Sequence, residues 1–251
     1  MIVAGGHPEP TNVLEWFTHL EDRAGSGPIS EQLWLTVWHA ALALLIVVVV
    51  AVPLAVLLAH FRKGELLASA VVSVGRAVPT ITVVGVLVIV SLRNGFGIEP
   101  WPIIGALVLL GLPPAFINTY AAIRGVDPSA VGAAQAMGLT HGQVMHRVEL
   151  PLALPVIMAG VRTAAVQIVA TEPLAAFFGG EGVGAYLRAG LSRHDVITVQ
   201  GGALLVAGVA IATELLLIVV TRLLVPRGLR AGAGPGRAAG RLRRQAAPAT
   251  T

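Results

Sequence analysis

Residues Val131–Pro155 read VGAAQAMGLTHGQVMHRVELPLALP. This stretch carries two histidines, an arginine and a glutamate, is interrupted by glycines, and lies between two strongly hydrophobic runs. The whole chain of 251 residues is 55% hydrophobic and only 12% charged. A soluble domain usually has about 25% charged residues. The composition therefore predicts an integral membrane protein, in which this stretch is a polar segment outside the lipid.

Working outward from that segment, five hydrophobic runs are long enough, at about 20 residues, to be membrane helices. They are Leu33–Ala59, Leu66–Leu92, Pro102–Ile123, Leu152–Phe178 and Ala203–Leu224. Prolines fall inside the first three runs, and membrane bundles accept these where neighbouring groups satisfy the interrupted backbone. We predict an all-α bundle of five spans, or of six if the second run is divided at Pro79.

The distribution of basic residues orients the bundle. With the N-terminus outside, the cytoplasmic segments hold 11 Lys or Arg and the outer segments hold 4. Basic residues concentrate on the cytoplasmic side of membrane proteins, so the N-terminus is expected outside and the C-terminus inside. Residues 1–32 then form an extracytoplasmic segment that does not read as a signal peptide. Residues 33–225 form the membrane domain, and residues 226–251 form a basic, disordered cytoplasmic tail.

Local signals divide residues 127–151 of this cytoplasmic region into two short helices. Asp127 followed by Pro128 is a typical helix start, and Gly138 suits a left-handed helix end. Thr140 and Gln143 have the spacing of a capping box, and Pro151 is expected to end the second helix. These residues predict a cytoplasmic elbow, which either rests on the lipid surface or docks a partner.

The elbow resembles the cytoplasmic loop of the permeases of ABC importers. That family has the pattern E-A-A, three residues, G, nine residues and I-x-L-P, and this chain has Ala133, Ala134, Gly138, Val148, Leu150 and Pro151 at the matching places. Gly132 stands where the family has glutamate. Residues Ile117–Gly138, Val148–Ala164, Ala77–Gly85 and Pro173–Leu191 further resemble the osmoprotectant branch, whose members import glycine betaine, choline, carnitine or proline-like solutes.

The resemblance implies a type I importer permease in a bacterial inner membrane, with the elbow as a coupling helix. It implies four kinds of contact: a second permease subunit, two cytoplasmic ATP-binding subunits, an external solute-binding protein and lipid. The coupling surface is then expected to comprise Gly132, Ala133, Ala134, Gln135, Gly138, His141, Arg147, Val148, Leu150 and Pro151.

Motifs for catalysis are missing from the sequence. A phosphate-binding loop needs G-x-x-x-x-G-K-[ST], but Lys63 is the only lysine and lacks that setting. The glycine-rich stretch Gly179–Gly184 is better explained as a tight turn or a re-entrant bend, and the histidines have no metal-binding spacing. We expect no enzyme activity, no metal, no bound cofactor and no nucleic acid for this chain. ATP and Mg²⁺ would be used by the partner ATPase.

Charged residues inside the spans are costly and need an explanation. Arg76, Arg162 and Glu214 fall at similar depths, and Arg162–Glu214 is the predicted ion pair. These charges either stabilise the packing of the helices or extend toward the cytoplasmic surface, and the alternative is a contact with substrate. Glu172 lies near the outer end of the fourth run. It is assigned with Pro79 to a substrate path for a cationic solute, the alternative being an interfacial residue facing headgroups or a partner subunit.

Other functions stay open at this point. Within the same class, the solute could be an amino acid or a sulfonate. A stand-alone channel or secondary transporter would not need a glycine-hinged docking helix, and a simple membrane anchor would not need prolines inside its spans.

Overall fold

The computed structural model of the chain describes residues 12–18, 27–66, 68–71 and 79–225, and within them every regular element is helical. The α-helices that matter here are α1 (Val13–Thr18), α2 (Ile29–His60), α3 (Thr80–Arg93), α4 (Trp101–Arg124), α5 (Pro128–Ala136), α6 (His141–Val144), α7 (Leu150–Thr171), α8 (Gly184–Arg193) and α9 (Val196–Leu224). A π-helical turn, Met145–Glu149, joins α6 to α7, and a 3-10 helix, Glu172–Phe178, follows α7. The predicted all-α class is confirmed.

Four continuous helical stretches are long and apolar enough to cross a membrane. They are Ile29–His60, Trp101–Arg124, His141–Phe178 and Val196–Leu224. Each contains one of the predicted hydrophobic runs. The remaining run corresponds to α3, an apolar helix of only 14 residues.

Pro79 marks the point where the prediction of one long second helix is wrong. This residue has φ −62° and ψ 127°, which is extended backbone, and α3 begins at the next residue. Proline has no N–H to continue a helical ladder, and its ring blocks the preceding turn. In contrast, α2 continues through Pro53, and α4 continues through Pro113 and Pro114. Arg76 lies outside the described residues.

The centre of the bundle is made by α2, α4 and α7, which pack through small side chains. On α2 these include Ala43, Ala51 and Ala55, and on α7 they include Ala164, all of them at most 1% exposed. Glycine brings α7 against α4, because a Cβ on Gly160 would lie 2.4 Å from the Asn118 Cβ. Small residues allow this close backbone approach between membrane helices.

Candidate functional site

The first half of the elbow, α5, begins and ends as its sequence predicts. The Ser129 N–H donates to the Asp127 carboxylate at 2.9 Å, and Pro128 occupies the first turn. After α5, Gly138 has φ +85°, a left-handed conformation that favours glycine. These contacts turn the chain sharply at the end of α5.

The capping box of α6 is also confirmed. The Gln143 N–H donates to the Thr140 hydroxyl oxygen at 3.4 Å, and the Thr140 N–H donates to the Gln143 side-chain carbonyl at 2.9 Å. Two amide groups that have no partner inside the helix are thereby satisfied.

The second half of the elbow is not a separate helix, and the expected stop at Pro151 is wrong. The helix runs from α6 through the π-helical turn into α7, and Pro151 lies in the first turn of α7. The Leu150 N–H bonds to the Met145 carbonyl, five residues back. A π turn takes in an extra residue and changes the hydrogen-bond register, so the ladder is already interrupted where proline cannot donate. The second half of the elbow and α7 therefore form one continuous helical stretch.

Most of the predicted coupling residues lie at the surface. Gly132, Ala133, Gln135, Gly138, His141 and Arg147 are exposed, Val148, Leu150 and Pro151 are half-buried, and Ala134 is buried. A Cβ added at Gly132 or Gly138 would meet nothing within 4 Å. Gly132 on α5 and Gly138 just after it are therefore open positions at the surface of the elbow.

A pair of residues that sequence reasoning missed holds the elbow to the bundle. Glu149 Oε2 lies 2.5 Å from Nδ1 of His60, the last residue of α2, and both side chains are at most 10% exposed. The ring of His141 stands edge-on to that of His60, with centroids 6.0 Å apart. A cavity of about 430 Å³ lies between this pair, α4 and α5. In the sequence, the one indication of this contact is Glu149, an isolated acidic residue two positions before Pro151.

Glu172 is fully buried rather than interfacial. It accepts a hydrogen bond from the Thr36 hydroxyl at 2.9 Å and lies 3.2 Å from His39 Nδ1. The Thr36 oxygen in turn accepts from the Val183 N–H at 2.9 Å, and Gln32 accepts from the Gly182 N–H at 2.6 Å. This cluster of α2 side chains, which the sequence did not indicate, clamps the glycine-rich loop.

The glycine-rich loop has the geometry of a tight turn. Gly179 and Gly182 both have positive φ, at +91° and +94°. The Glu181 N–H donates to the Glu99 carboxylate at 2.5 Å. The loop amides are therefore bound to carboxylate, amide and hydroxyl oxygens of this chain.

Asp195 caps the last long helix near this end of the bundle. Its carboxylate accepts from the N–H groups of Ile197 and Thr198 and from the Thr198 hydroxyl. Burial raises the pKa of Asp195, but these hydrogen bonds and the charge of Arg193 outweigh it and hold the pKa below its ordinary value. The start of α9 is therefore fixed by a charged cap.

The structure brings Arg162 and Glu214 together. Arg162 Nε lies 2.9 Å from Glu214 Oε1, and the side chains are 38% and 34% exposed. The pair joins α7 to α9 and lines an open groove of about 610 Å³. No group of three or more metal-binding side chains exists among the residues that the structure describes.

Several known proteins are similar to this chain in sequence. The chain is 34% identical over 203 residues to the choline transport system permease protein OpuBB of Bacillus subtilis, covering 80% of this chain and 91% of that protein. It is 32% identical to the glycine betaine/carnitine/choline transport system permease protein OpuCB of the same organism, with coverage of 80% and 91%. It is 31% identical to the osmoprotectant import permease protein OsmW of Salmonella typhimurium, with coverage of 82% and 95%.

Solved structures show the same fold at lower sequence identity. The MetNI methionine ABC transporter in an inward-facing conformation aligns with a TM-score of 0.69 and 20% identity, covering 79% of this chain and 96% of that chain. An amino acid ABC transporter with histidines aligns with a TM-score of 0.66 and 19% identity, covering 86% and 100%. The fold is therefore that of type I ABC importer permeases.

The family model of the binding-protein-dependent transport system inner membrane component matches residues 48–229. That range includes the elbow and the pairs His60–Glu149 and Arg162–Glu214. This chain belongs to the family of binding-protein-dependent transport system inner membrane components.

Proposed function

We propose that this chain is the permease subunit of an ATP-driven importer for a compatible solute of the choline, glycine betaine or carnitine type. The proposal is supported by three relatives that are 31% to 34% identical to this chain and whose names mention these solutes or osmoprotectants. Solved structures under 25% identical support the fold only, and so they do not favour an amino acid as the solute. Import of an amino acid or a sulfonate is the second possibility within the class.

The elbow is the element through which an ATPase would act. The observation that carries this role is its geometry: a capped helix with an uncovered outer face leads without a break into α7. The contact between Glu149 and His60 ties the same element to α2. A displacement of α5 is therefore transmitted to two core helices, α2 and α7. Because Gly132 replaces the family glutamate, docking here relies on shape and on exposed neighbours such as Gln135 and Arg147.

The partners of this assembly are a second permease subunit, two ATP-binding subunits and an external solute-binding protein. ATP and Mg²⁺ belong to the ATP-binding subunits, and the permease hydrolyses nothing itself. The assembly lies in the inner membrane, with the N-terminus of this chain outside and its basic tail in the cytoplasm. Residues 1–32, 33–225 and 226–251 are the corresponding segments.

The decisive test is a substitution at the elbow hinge. Gly138→Val places a β-branched residue at φ +85°, a conformation that such residues strongly disfavour, and so it distorts the elbow. In proteoliposomes with the ATP-binding subunits and the binding protein, we expect wild-type chain to accumulate solute only with ATP. The variant is expected to lose uptake by at least about tenfold, as a strained hinge misplaces the docking helix.

Gly208→Val is the matched control. Gly208 lies in α9, and a Cβ there would meet nothing within 4 Å, so uptake is expected to stay within about twofold of wild type. Normal uptake by Gly138→Val at wild-type expression would contradict the coupling role. Uptake without ATP or partners would instead indicate a stand-alone transporter.

A further inference from the structure

The groove between α7 and α9 carries charge at an unexpected depth. At about 1.5 Å per residue, Glu214 lies about 15 Å from the end of α9 at Leu224, well inside a hydrocarbon layer of about 30 Å. Both side chains of the Arg162–Glu214 pair are nevertheless more than one-third exposed. Intramembrane charges almost always face the bundle interior or a water-filled cavity, because lipid cannot solvate them. The groove therefore faces an aqueous space or another protein, not acyl chains.

Both members of the Arg162–Glu214 pair have several atoms that can form hydrogen bonds. The 2.9 Å contact joins Arg162 Nε to Glu214 Oε1, while the guanidinium has two further nitrogens and the carboxylate has a second oxygen. Thr163 and Gln167 add polar groups to the same wall, and Ile211 and Leu215 provide an apolar side. The groove thus presents a cation, an anion and a hydrophobic surface within one volume of about 610 Å³, which is in the size range of small-ligand sites.

We propose that this groove is a binding site for the solute during its passage, and that it selects small zwitterions. The carboxylate of the solute contacts the terminal nitrogens of the Arg162 guanidinium, and the cationic end of the solute contacts Glu214. This inference rests on the proposed function, since it adds a solute site to the transport path.

The side chains that line the groove also determine how strongly the solute is bound and through which interactions. An arginine presents a planar fork of donors that matches a carboxylate, whereas a quaternary ammonium offers no hydrogen-bond donor and is attracted by charge alone. The described residues that line the groove include no aromatic ring, so it has no cation–π cage. Binding is therefore weak and charge-directed, as a site on a transport path requires. The same groove distinguishes a zwitterion from a simple cation through Arg162.

A single cysteine tests whether solute enters the groove. The chain has no cysteine, and Thr163 is exposed on the groove wall, so Thr163→Cys provides a unique thiol. In proteoliposomes of the complete transporter, we expect a water-soluble methanethiosulfonate reagent to label it. Glycine betaine is expected to slow labelling, and to lose this effect when Arg162→Gln is added. Asn94→Cys, at an exposed position in the turn after α3, is expected to react with the same reagent and is the control that solute does not protect.

Uptake of two probe solutes tests selectivity. Arg162→Gln is expected to reduce glycine betaine uptake by about tenfold and choline uptake by less than about twofold, because only glycine betaine has a carboxylate. Glu214→Gln is expected to reduce both. Arg124→Gln, which breaks the surface pair with Glu65, is the matched control and is expected to leave the ratio of the two rates unchanged.

The outcomes separate this inference from the proposed function. Wild-type proteoliposomes that accumulate no compatible solute would contradict the proposed function itself. Wild-type uptake of choline without any zwitterion, equal losses of both solutes in Arg162→Gln, or a Thr163→Cys thiol that solute does not protect would each overturn the groove site. Equal losses would leave the ion pair as a structural link between α7 and α9.

Discussion

At the scale of single residues, Glu172 shows how a buried carboxylate can organise one end of the bundle. It is 0% exposed and contacts both Thr36 and His39 of α2. Thr36 passes the connection on, because its oxygen accepts from the Val183 N–H of the glycine-rich loop. One carboxylate therefore fixes α2, the 3-10 helix and the loop relative to one another. An assignment to the substrate path stays a prediction for Glu172 and for Pro79.

Replacing this charge tests its structural role. Glu172→Gln keeps the shape of the side chain but removes the charge that Thr36 and His39 face. Hydrogen bonds to charged groups contribute about 1.5–3 kcal/mol, so we expect a loss of this order in the free energy of unfolding. The measurement is the melting temperature of the purified complex in detergent. Glu181→Gln changes an exposed glutamate of the same loop and is expected to have little effect; equal shifts in the two variants would argue against the clamp.

At the scale of helices, local rules predicted the caps and failed where context decided. Asp127 and Thr140 cap their helices as expected because a cap depends on residues two or three positions away. Pro79 and Pro151 both lack the N–H group that would continue a helix, yet the chain behaves differently at the two positions. Pro79 precedes a helix, whereas the π-helical turn before Pro151 lets the helix continue. Contacts such as His60–Glu149 join residues 89 positions apart, and no local pattern in one sequence specifies them.

The contact between α4 and α7 gives a prediction at this scale. Gly160→Val adds a branched side chain where a Cβ would lie 2.4 Å from the Asn118 Cβ and 3.1 Å from the Pro114 carbonyl oxygen. The backbones must separate, and overpacking of this kind costs about 1–3 kcal/mol. We expect a lower melting temperature and a lower yield of assembled complex. Gly208→Val makes the same change in open space, and a similar loss in both variants would refute the close-packing explanation.

At the scale of the whole molecule, two contacts define how the chain is threaded. His60, at the end of α2, touches Glu149 of the elbow. Glu99, just before α4, accepts a hydrogen bond from the Glu181 N–H. Glu181 follows the end of the helical stretch His141–Phe178, whereas Glu149 lies near its start. The chain therefore passes from one end of the bundle to the other between residues 60 and 99. The 14 residues of α3 make a helix about 21 Å long, and we expect the chain to make a fifth crossing between residues 60 and 99.

Five crossings would place the two termini on opposite sides, and the distribution of basic residues predicts that the C-terminus is inside. We expect a cysteine at Ser26 to react with a membrane-impermeant maleimide in intact cells. A cysteine at Thr250 is expected to react only after permeabilisation. The unmodified chain contains no cysteine and is the background control. Four or six crossings would place both thiols on the same side, because an even number returns the chain to its starting face. Labelling of both in intact cells would therefore contradict the threading inferred from His60 and Glu99, and labelling of Thr250→Cys alone would reverse the orientation.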